Sequence, residues 1–126
     1  NRTVSFRVPA GAPKTRHVEH RVCGADANPY LAVAAVLAAM HHGIVNKLDP
    51  GAAIVGNGYE QAGATSAAPM PANWFAAVDR FAQSAVLKEY LGARFVDVYA
   101  TVKRSEQDRY FAEVPQLDYE WYLRTA

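Results

Sequence analysis

Alternation between apolar and polar side chains is confined to the start of the chain, which limits how much sheet the chain can form. Residues Thr3–Pro9 and His17–Cys23 each alternate with a period of two, so they are predicted to be two half-buried strands. The connection between them contains Gly11 and Pro13, and its length favours an antiparallel pair joined by a loop rather than by a tight turn. Because two strands alone are marginally stable, we expect further chain or a partner to complete the sheet.

The residues after this strand pair carry helical patterns. Asn28 followed by proline predicts a capped helix over 29–48, and because this segment is apolar on nearly every side we expect a buried helix. A loop rich in glycine and proline is predicted over 49–72, before a helical tail over 73–126. The fold class predicted from this order is α+β: an antiparallel strand pair over 3–23 followed by a mainly helical region.

The tail is predicted to contain two short helices, one long helix and a last helical turn. Asn73 can cap a helix through Ser84, and Ser84 can cap a second helix that Gly92 ends. A long amphipathic helix is predicted over 93–114, followed by an aromatic-rich turn over 118–123. The apolar stripe predicted for the long helix comprises Phe95, Val98, Tyr99 and Val102.

Charge, cysteine content and hydropathy exclude several classes of protein. A net charge of +1 with dispersed basic residues gives no electrostatic case for binding nucleic acid or an anionic membrane. The single cysteine, Cys23, excludes an internal disulfide framework and favours a reducing, cytoplasmic compartment. The longest charge-free apolar run, Tyr30–Met40, is shorter than the ~20 residues that cross a bilayer. The abrupt start without methionine leads us to expect a fragment of a longer chain.

The densest group of chemically capable side chains lies on the polar face of the second predicted strand. His17, Glu19 and Arg21 are two residues apart and therefore point the same way. A carboxylate can bind a hard divalent cation, while arginines can bind phosphate or carboxylate oxygens as forked donors. The further cations expected near this row are Arg2, Arg7 and Lys14.

The alternative is that this face is only a solvated surface. Cross-strand ion pairs are common on such surfaces and contribute less than about 1 kcal/mol each. The chain also lacks a Walker-type phosphate loop, a nucleophile elbow and a His-Glu-x-x-His helix. Under this hypothesis the chain is a non-catalytic helical interaction or assembly module.

A series of short motifs resembles the closing segment of the glutamine synthetase catalytic domain. The motifs are, in order, Asn1-Arg2, Arg7-Val8-Pro9, Pro13-Lys14, Glu19-His20-Arg21 and Ala27-Asn28-Pro29-Tyr30-Leu31. The resemblance is strongest over residues 1–48. The sequence of the segment from Glu19 to Leu31 resembles the γ-glutamyl-polyamine synthetase branch more than the housekeeping enzyme.

The resemblance implies an ATP-dependent ligase and a role for several residues. Arg2 and Arg7 match arginines that contact the phosphates of ATP, and Lys14 matches a lysine of the nucleotide site. Glu19 matches a ligand of an active-site Mg²⁺ or Mn²⁺ ion. Arg21 matches the arginine that holds the glutamate substrate and the transferring phosphoryl group.

The implied reaction phosphorylates the γ-carboxylate of glutamate, and ammonia or an amine then displaces the phosphate. ATP is thus a co-substrate. The resemblance also implies a homo-oligomer in the full-length protein, with the remaining parts of the site elsewhere, so the isolated chain is expected to be inactive.

One position departs from the family pattern. Many members have arginine two residues before the metal-binding glutamate, where this chain has His17, and its Arg16 is displaced by one residue. A shift of one residue on a strand turns the side chain to the opposite face. Arg16 is therefore not expected to replace the missing guanidinium. The region around Tyr59 departs from the family's adenylylation loop, and that modification is not predicted.

Overall fold

The computed structural model describes residues 3–61 and 68–125. The chain divides into two compact units, an N-terminal unit over 1–69 and a C-terminal unit over 70–126. Within these described residues, the N-terminal unit contains a two-stranded antiparallel sheet and one α-helix, and the C-terminal unit contains four α-helices. The predicted α+β class, with a strand pair followed by a helical region, is confirmed. In the described part of the chain, no helix is both long and apolar enough to cross a membrane.

The strands are shorter than predicted. Strand β1 comprises Phe6–Arg7 and strand β2 comprises Glu19–His20, and they pair with Phe6 opposite His20 and Arg7 opposite Glu19. One further bond, from the Arg21 amide to the Ser5 carbonyl at 2.9 Å, extends the pairing. Pro9 and Pro13, in the connection between the strands, lack the N–H that a longer ladder needs. A two-stranded sheet also has little packing that could stabilise longer strands.

Helix α1 comprises Pro29–Val45 and begins at the predicted cap. The Asn28 side-chain oxygen accepts hydrogen bonds from the amides of Tyr30 and Leu31, and Pro29 occupies the first helical position. The helix ends three residues before the predicted end at residue 48. Of its 17 residues only Ala38 is buried. The expected burial of the helix is therefore not met among the residues that the structure describes.

A contact across 55 residues fixes the loop after α1 to the start of the chain. The amide of Gly58 donates a 2.8 Å hydrogen bond to Oγ1 of Thr3. A Cβ atom at residue 58 would lie 2.3 Å from the carbonyl oxygen of Thr3. Only glycine therefore allows this close approach of two backbone segments.

The C-terminal unit contains four helices, of which the first two begin at the predicted caps. Asn73 accepts the amide of Ala76 at 2.9 Å, and the Ser84 hydroxyl accepts that of Leu87 at 3.2 Å. Gly92, with a positive φ of 87°, separates the second helix from the third. The helices are α2, Trp74–Gln83; α3, Ala85–Leu91; α4, Ala93–Ala112; and α5, Gln116–Tyr122.

The buried face of α4 differs from the predicted stripe. Val96, Ala100 and Gln107 are buried, whereas Val98 and Val102 of the predicted stripe are exposed. The buried set has small side chains at Val96 and Ala100, which allow α2 and α3 to pack closely against α4. The predicted stripe was therefore wrong, because the buried face of α4 is rotated about the helix axis from the predicted face.

The aromatic members of the predicted stripe lie beside the buried face. The rings of Phe95 and Tyr99 stack at 5.8 Å, and the ring of Phe81 from α2 contacts Tyr99 at 5.2 Å. Aromatic pairs at these distances add stabilisation beyond their buried area.

Candidate functional site

The strand pair places Arg7 directly across from Glu19, as the alternation predicted. The Arg7 Nη2 atom donates a 2.7 Å hydrogen bond to Oε1 of Glu19. The other face of the pair holds Phe6 and His20, whose ring centroids lie 5.1 Å apart. The register therefore separates a charged face from an apolar one, and a slip of one residue would exchange them.

The surrounding cations change the protonation of Glu19. The hydrogen bond from Arg7 holds the pKa of the Glu19 carboxyl below its ordinary value. Desolvation opposes this shift, and the charges of Arg7, Arg21 and His17 add to it. The same hydrogen bond raises the pKa of Arg7. Glu19 is therefore an anionic carboxylate at neutral pH.

His17 and Arg21 lie on either side of Glu19 in the same row. His17 Nε2 is 3.8 Å from Glu19 Oε1, and Arg21 Nε is 3.9 Å from Glu19 Oε2. Both distances exceed a hydrogen bond but keep the charges within ion-pair range. The predicted row of His17, Glu19 and Arg21, faced by Arg7, is present.

One of the predicted cations, Lys14, is not brought into this row. Lys14 lies in a short 3-10 turn, Pro13–Thr15, between the strands, and no ion pair joins it to Glu19 in the described part of the chain. Arg2 lies outside the described residues. The roles of Lys14 and Arg2 at a nucleotide therefore remain predictions.

The donor set fits one ligand of a divalent cation but not a complete site. Glu19 offers the hard oxygen donors that Mg²⁺ and Mn²⁺ prefer, and Mg²⁺ commonly takes only one or two protein carboxylates. Within residues 3–61 and 68–125, no three His, Cys, Asp or Glu side chains form a group able to hold a metal ion. Any such ion would need ligands from water, from a substrate or from other protein segments.

The apolar face of β2 borders a pocket that sequence reasoning missed. The pocket has a volume of about 460 Å³ and lies between the end of β2 and the first turns of α1. Its lining includes His20, Cys23, Pro29, Val33 and Leu37. The alternation of β2 identifies His20 as a member of this face, but the inward face of α1 has no sequence signal because the helix is apolar on nearly every side.

Chemically, the charged row can bind anions and one cation at the same place. Arg7 and Arg21 present forked donors suited to phosphate or carboxylate oxygens, and Glu19 presents a carboxylate between them. An arrangement of this kind suits a polyanion that arrives with a divalent cation, because the cation and the arginines bind different parts of the same ligand.

Comparison with known proteins gives consistent matches along the chain. A family model described as the glutamine synthetase catalytic domain matches residues 1–122. The chain is 40% identical over 126 residues to γ-glutamylputrescine synthetase of Escherichia coli, covering 100% of the chain and 26% of that protein. It is 36% identical over 124 residues to type-1 glutamine synthetase 2 of Dictyostelium discoideum, covering 98% of the chain and 24% of that protein.

A third relative is named for an amine substrate. The chain is 40% identical over 103 residues to glutamate–isopropylamine ligase of a Pseudomonas species, covering 82% of the chain and 22% of that protein. The chain thus spans about a quarter of the length of the curated relatives it matches.

Proposed function

The chain belongs to the glutamine synthetase family, and from that premise we propose that it forms one wall of the active site of an ATP-dependent glutamate–amine ligase. The observation that carries the proposal is the row in which Arg7 and Arg21 bracket the carboxylate of Glu19. We place this wall in the C-terminal part of the catalytic domain, within a cytoplasmic homo-oligomer.

The proposed reaction has two steps that balance in atoms and charge. An oxygen of the γ-carboxylate of glutamate attacks the γ-phosphorus of ATP, and ADP leaves to give an acyl phosphate. The nitrogen of ammonia or an amine then attacks the acyl carbon, the C–O bond to phosphate breaks, and the nitrogen loses a proton. Both steps develop negative charge on phosphoryl oxygens, which arginine donors stabilise.

Each charged residue of the row has a proposed role in this reaction. Arg7 and Arg2 bind phosphate oxygens of ATP, and Lys14 contributes to the nucleotide site. Arg21 binds the glutamate substrate and the transferring phosphoryl group. Glu19 is one ligand of the Mg²⁺ or Mn²⁺ ion, which supplies charge neutralisation when bound.

The Arg7–Glu19 ion pair suits a site that assembles with its substrates. Each side chain satisfies the other, so neither charge is left without a counterion. A bound polyanion with its cation would give Arg7 phosphate oxygens in place of the carboxylate, and Glu19 would then be available as a ligand of that cation. The exchange conserves the number of charge-assisted contacts.

We propose an amine rather than ammonia as the nucleophile. Support comes from the two relatives at 40% identity, which are named for putrescine and for isopropylamine, whereas the Dictyostelium glutamine synthetase is 36% identical. The test is a direct comparison of ammonia with amines as the nucleophile.

The deciding experiment measures ADP release by the full-length protein with glutamate and, in parallel, ammonia, putrescine, spermidine or isopropylamine. Glu19→Ala should lower metal-dependent ADP release by about 100-fold or more while leaving the oligomer size unchanged. Glu89→Ala removes an exposed carboxylate on α3 and serves as the matched control. Normal turnover by Glu19→Ala would contradict the proposed metal role.

A second variant separates substrate binding from metal binding. Arg21→Lys keeps the charge but loses the fork, so we expect a large rise in the KM for glutamate. Arg16→Lys is the control, since Arg16 lies outside the charged row. An unchanged KM in Arg21→Lys would contradict the role of Arg21.

The second candidate is a non-catalytic assembly module. It is favoured by the exposed apolar side chains of α5, which include Leu117, Tyr119, Trp121 and Tyr122. This function predicts no ADP release with any nucleophile and a change of oligomer size when α5 is altered. The same experiment therefore distinguishes the two candidates.

A further inference from the structure

The loop after α1 lies against the segment that leads into β1. The amide of Gly58 donates a 2.8 Å hydrogen bond to Oγ1 of Thr3. A Cβ atom at residue 58 would overlap the carbonyl oxygen of Thr3 and lie 3.2 Å from its carbonyl carbon. Both residues are partly shielded from solvent. The two backbones are therefore in direct contact, and the Thr3 hydroxyl accepts the bond that joins them.

The loop that carries Gly58 is closed by its own hydrogen bonds. Oδ1 of Asn57 accepts the amide of Tyr59 at 3.2 Å, and Nδ2 of Asn57 donates to Oε1 of Glu60 at 2.9 Å. The Glu60 amide also donates to the Asn57 carbonyl at 3.2 Å. An asparagine at the start of a turn commonly fixes the turn in this way. Gly58 is therefore presented to Thr3 by a closed turn rather than by an extended chain.

Strand β1 is two residues long, so its position depends on contacts with neighbouring segments. Ser5 and Arg7 are held from the side of β2, through the Ser5 carbonyl and the Arg7 side chain. Because a two-stranded sheet is marginally stable in isolation, the strand gains from contact with a third segment. Gly58 supplies that contact at Thr3. Thr3 directly follows Arg2 in the sequence and lies four residues before Arg7.

We propose that Thr3 and Gly58 form a clamp that positions the segment from Arg2 to Arg7 for the phosphates of ATP. The inference rests on the proposed function, which assigns phosphate binding to both arginines. Thr3 and Gly58 are positioning residues, since each acts through the backbone of this segment rather than by touching the nucleotide. Holding binding groups in place before the ligand arrives lowers the entropy lost on binding. The clamp therefore contributes to the affinity for ATP.

The segment that contains β2 has a separate, local support. His17 Nδ1 donates a 2.9 Å hydrogen bond to the carbonyl oxygen of Thr15, two residues away. Arg21 lies on the same segment as His17, and the proposed function assigns the glutamate substrate to Arg21. Loss of the clamp should therefore weaken ATP binding more than glutamate binding. A contact that only stabilises the fold would not make this distinction.

The test uses the full-length protein, with calorimetric titration of a non-hydrolysable ATP analogue in Mg²⁺ and with KM values for ATP and glutamate. Thr3→Val keeps the shape of the side chain but loses the hydroxyl, so the Kd of the analogue and the KM for ATP should rise about three- to tenfold. The KM for glutamate should change less than about twofold, and Thr3→Ser, which keeps the acceptor, should stay within about twofold of the parent in every value. Thr101→Val is the matched control, because the Thr101 hydroxyl donates to the Asp97 carbonyl within α4.

Gly58→Ala disrupts the same clamp from the side of the loop and should also raise the Kd of the analogue. In the Thr3→Val background Gly58→Ala should have a smaller effect than it has alone, because both substitutions remove one contact. The titration reports affinity and the number of sites separately. A partly unfolded preparation lowers the number of sites, whereas loss of the clamp raises the Kd.

The outcomes separate this inference from the proposed function. An unchanged Kd of the analogue in Thr3→Val and Gly58→Ala, with an active parent, would overturn the clamp and leave the proposed function. Equal rises in the KM values for ATP and glutamate, or a loss in Thr3→Ser as large as in Thr3→Val, would also overturn the clamp, because neither result depends on the hydroxyl acting on the ATP site. Absence of ADP release by the parent with every nucleophile would overturn the proposed function and the inference together.

Discussion

Replacing Gln107 by methionine should stabilise the C-terminal unit. Gln107 lies in α4 with 2% of its surface exposed, and its Nε2 atom has no hydrogen-bond partner among the residues that the structure describes. A buried donor without a partner costs about 1–3 kcal/mol. Methionine is unbranched, similar in length and able to fill irregular space. We therefore expect the free energy of unfolding to rise by about 1–2 kcal/mol.

The measurement is urea unfolding followed by the fluorescence of Trp74, whose ring meets that of Tyr110 from α4 edge-on at 5.9 Å. A Trp121→Phe background removes the other tryptophan. Gln83→Met, at the exposed end of α2, is the control and should change the free energy of unfolding by less than about 0.5 kcal/mol. If Gln107→Met unfolds at a lower urea concentration than the parent, the amide is satisfied in solution and the reasoning is refuted.

Two further predictions concern the N-terminal unit. Gly58→Ala should lower the free energy of unfolding by about 1–3 kcal/mol, because its Cβ would displace the backbone of Thr3. Gly43→Ala is the control and should be neutral or stabilising, since Gly43 has open space around it. Equal effects of the two substitutions in thermal melts would contradict this prediction. Arg7→Ala should raise the pKa of Glu19 toward its ordinary value in a carboxyl NMR titration. Because the pKa of Glu19 is lowered in the folded state, the stability from its ion pair is present above the pKa of the unfolded state and is lost as the pH falls through the pKa of the folded state. If Arg7→Ala lost stability in acid to the same extent as the parent, the ion pair would not be the cause of the lowered pKa.

The features that sequence predicted correctly depend on local chemistry. Caps at Asn28, Asn73 and Ser84 need only a side chain and an amide two or three residues away. The opposition of Arg7 and Glu19 follows from the alternation of two strands that are close in sequence. Such short-range rules hold whatever the rest of the protein does.

The features that sequence could not predict depend on neighbours. The rotation of α4 is set by how closely α2 and α3 approach, which makes Val96 and Ala100 buried rather than Val98 and Val102. Helix α1 is apolar on nearly every side, so its sequence does not indicate which side packs. The metal and substrate roles of Glu19 and Arg21 stay predictions, because they depend on groups beyond this row.

The hydrogen bond that orients His17 has a consequence for how this position can change over generations. Its acceptor is the main-chain carbonyl of Thr15, which every amino acid carries. A substitution at residue 15 that preserves the turn therefore leaves the orientation of the His17 ring unchanged. The orientation of the His17 ring therefore does not depend on which amino acid occupies position 15. Residues 15 and 17 can change independently of each other during evolution.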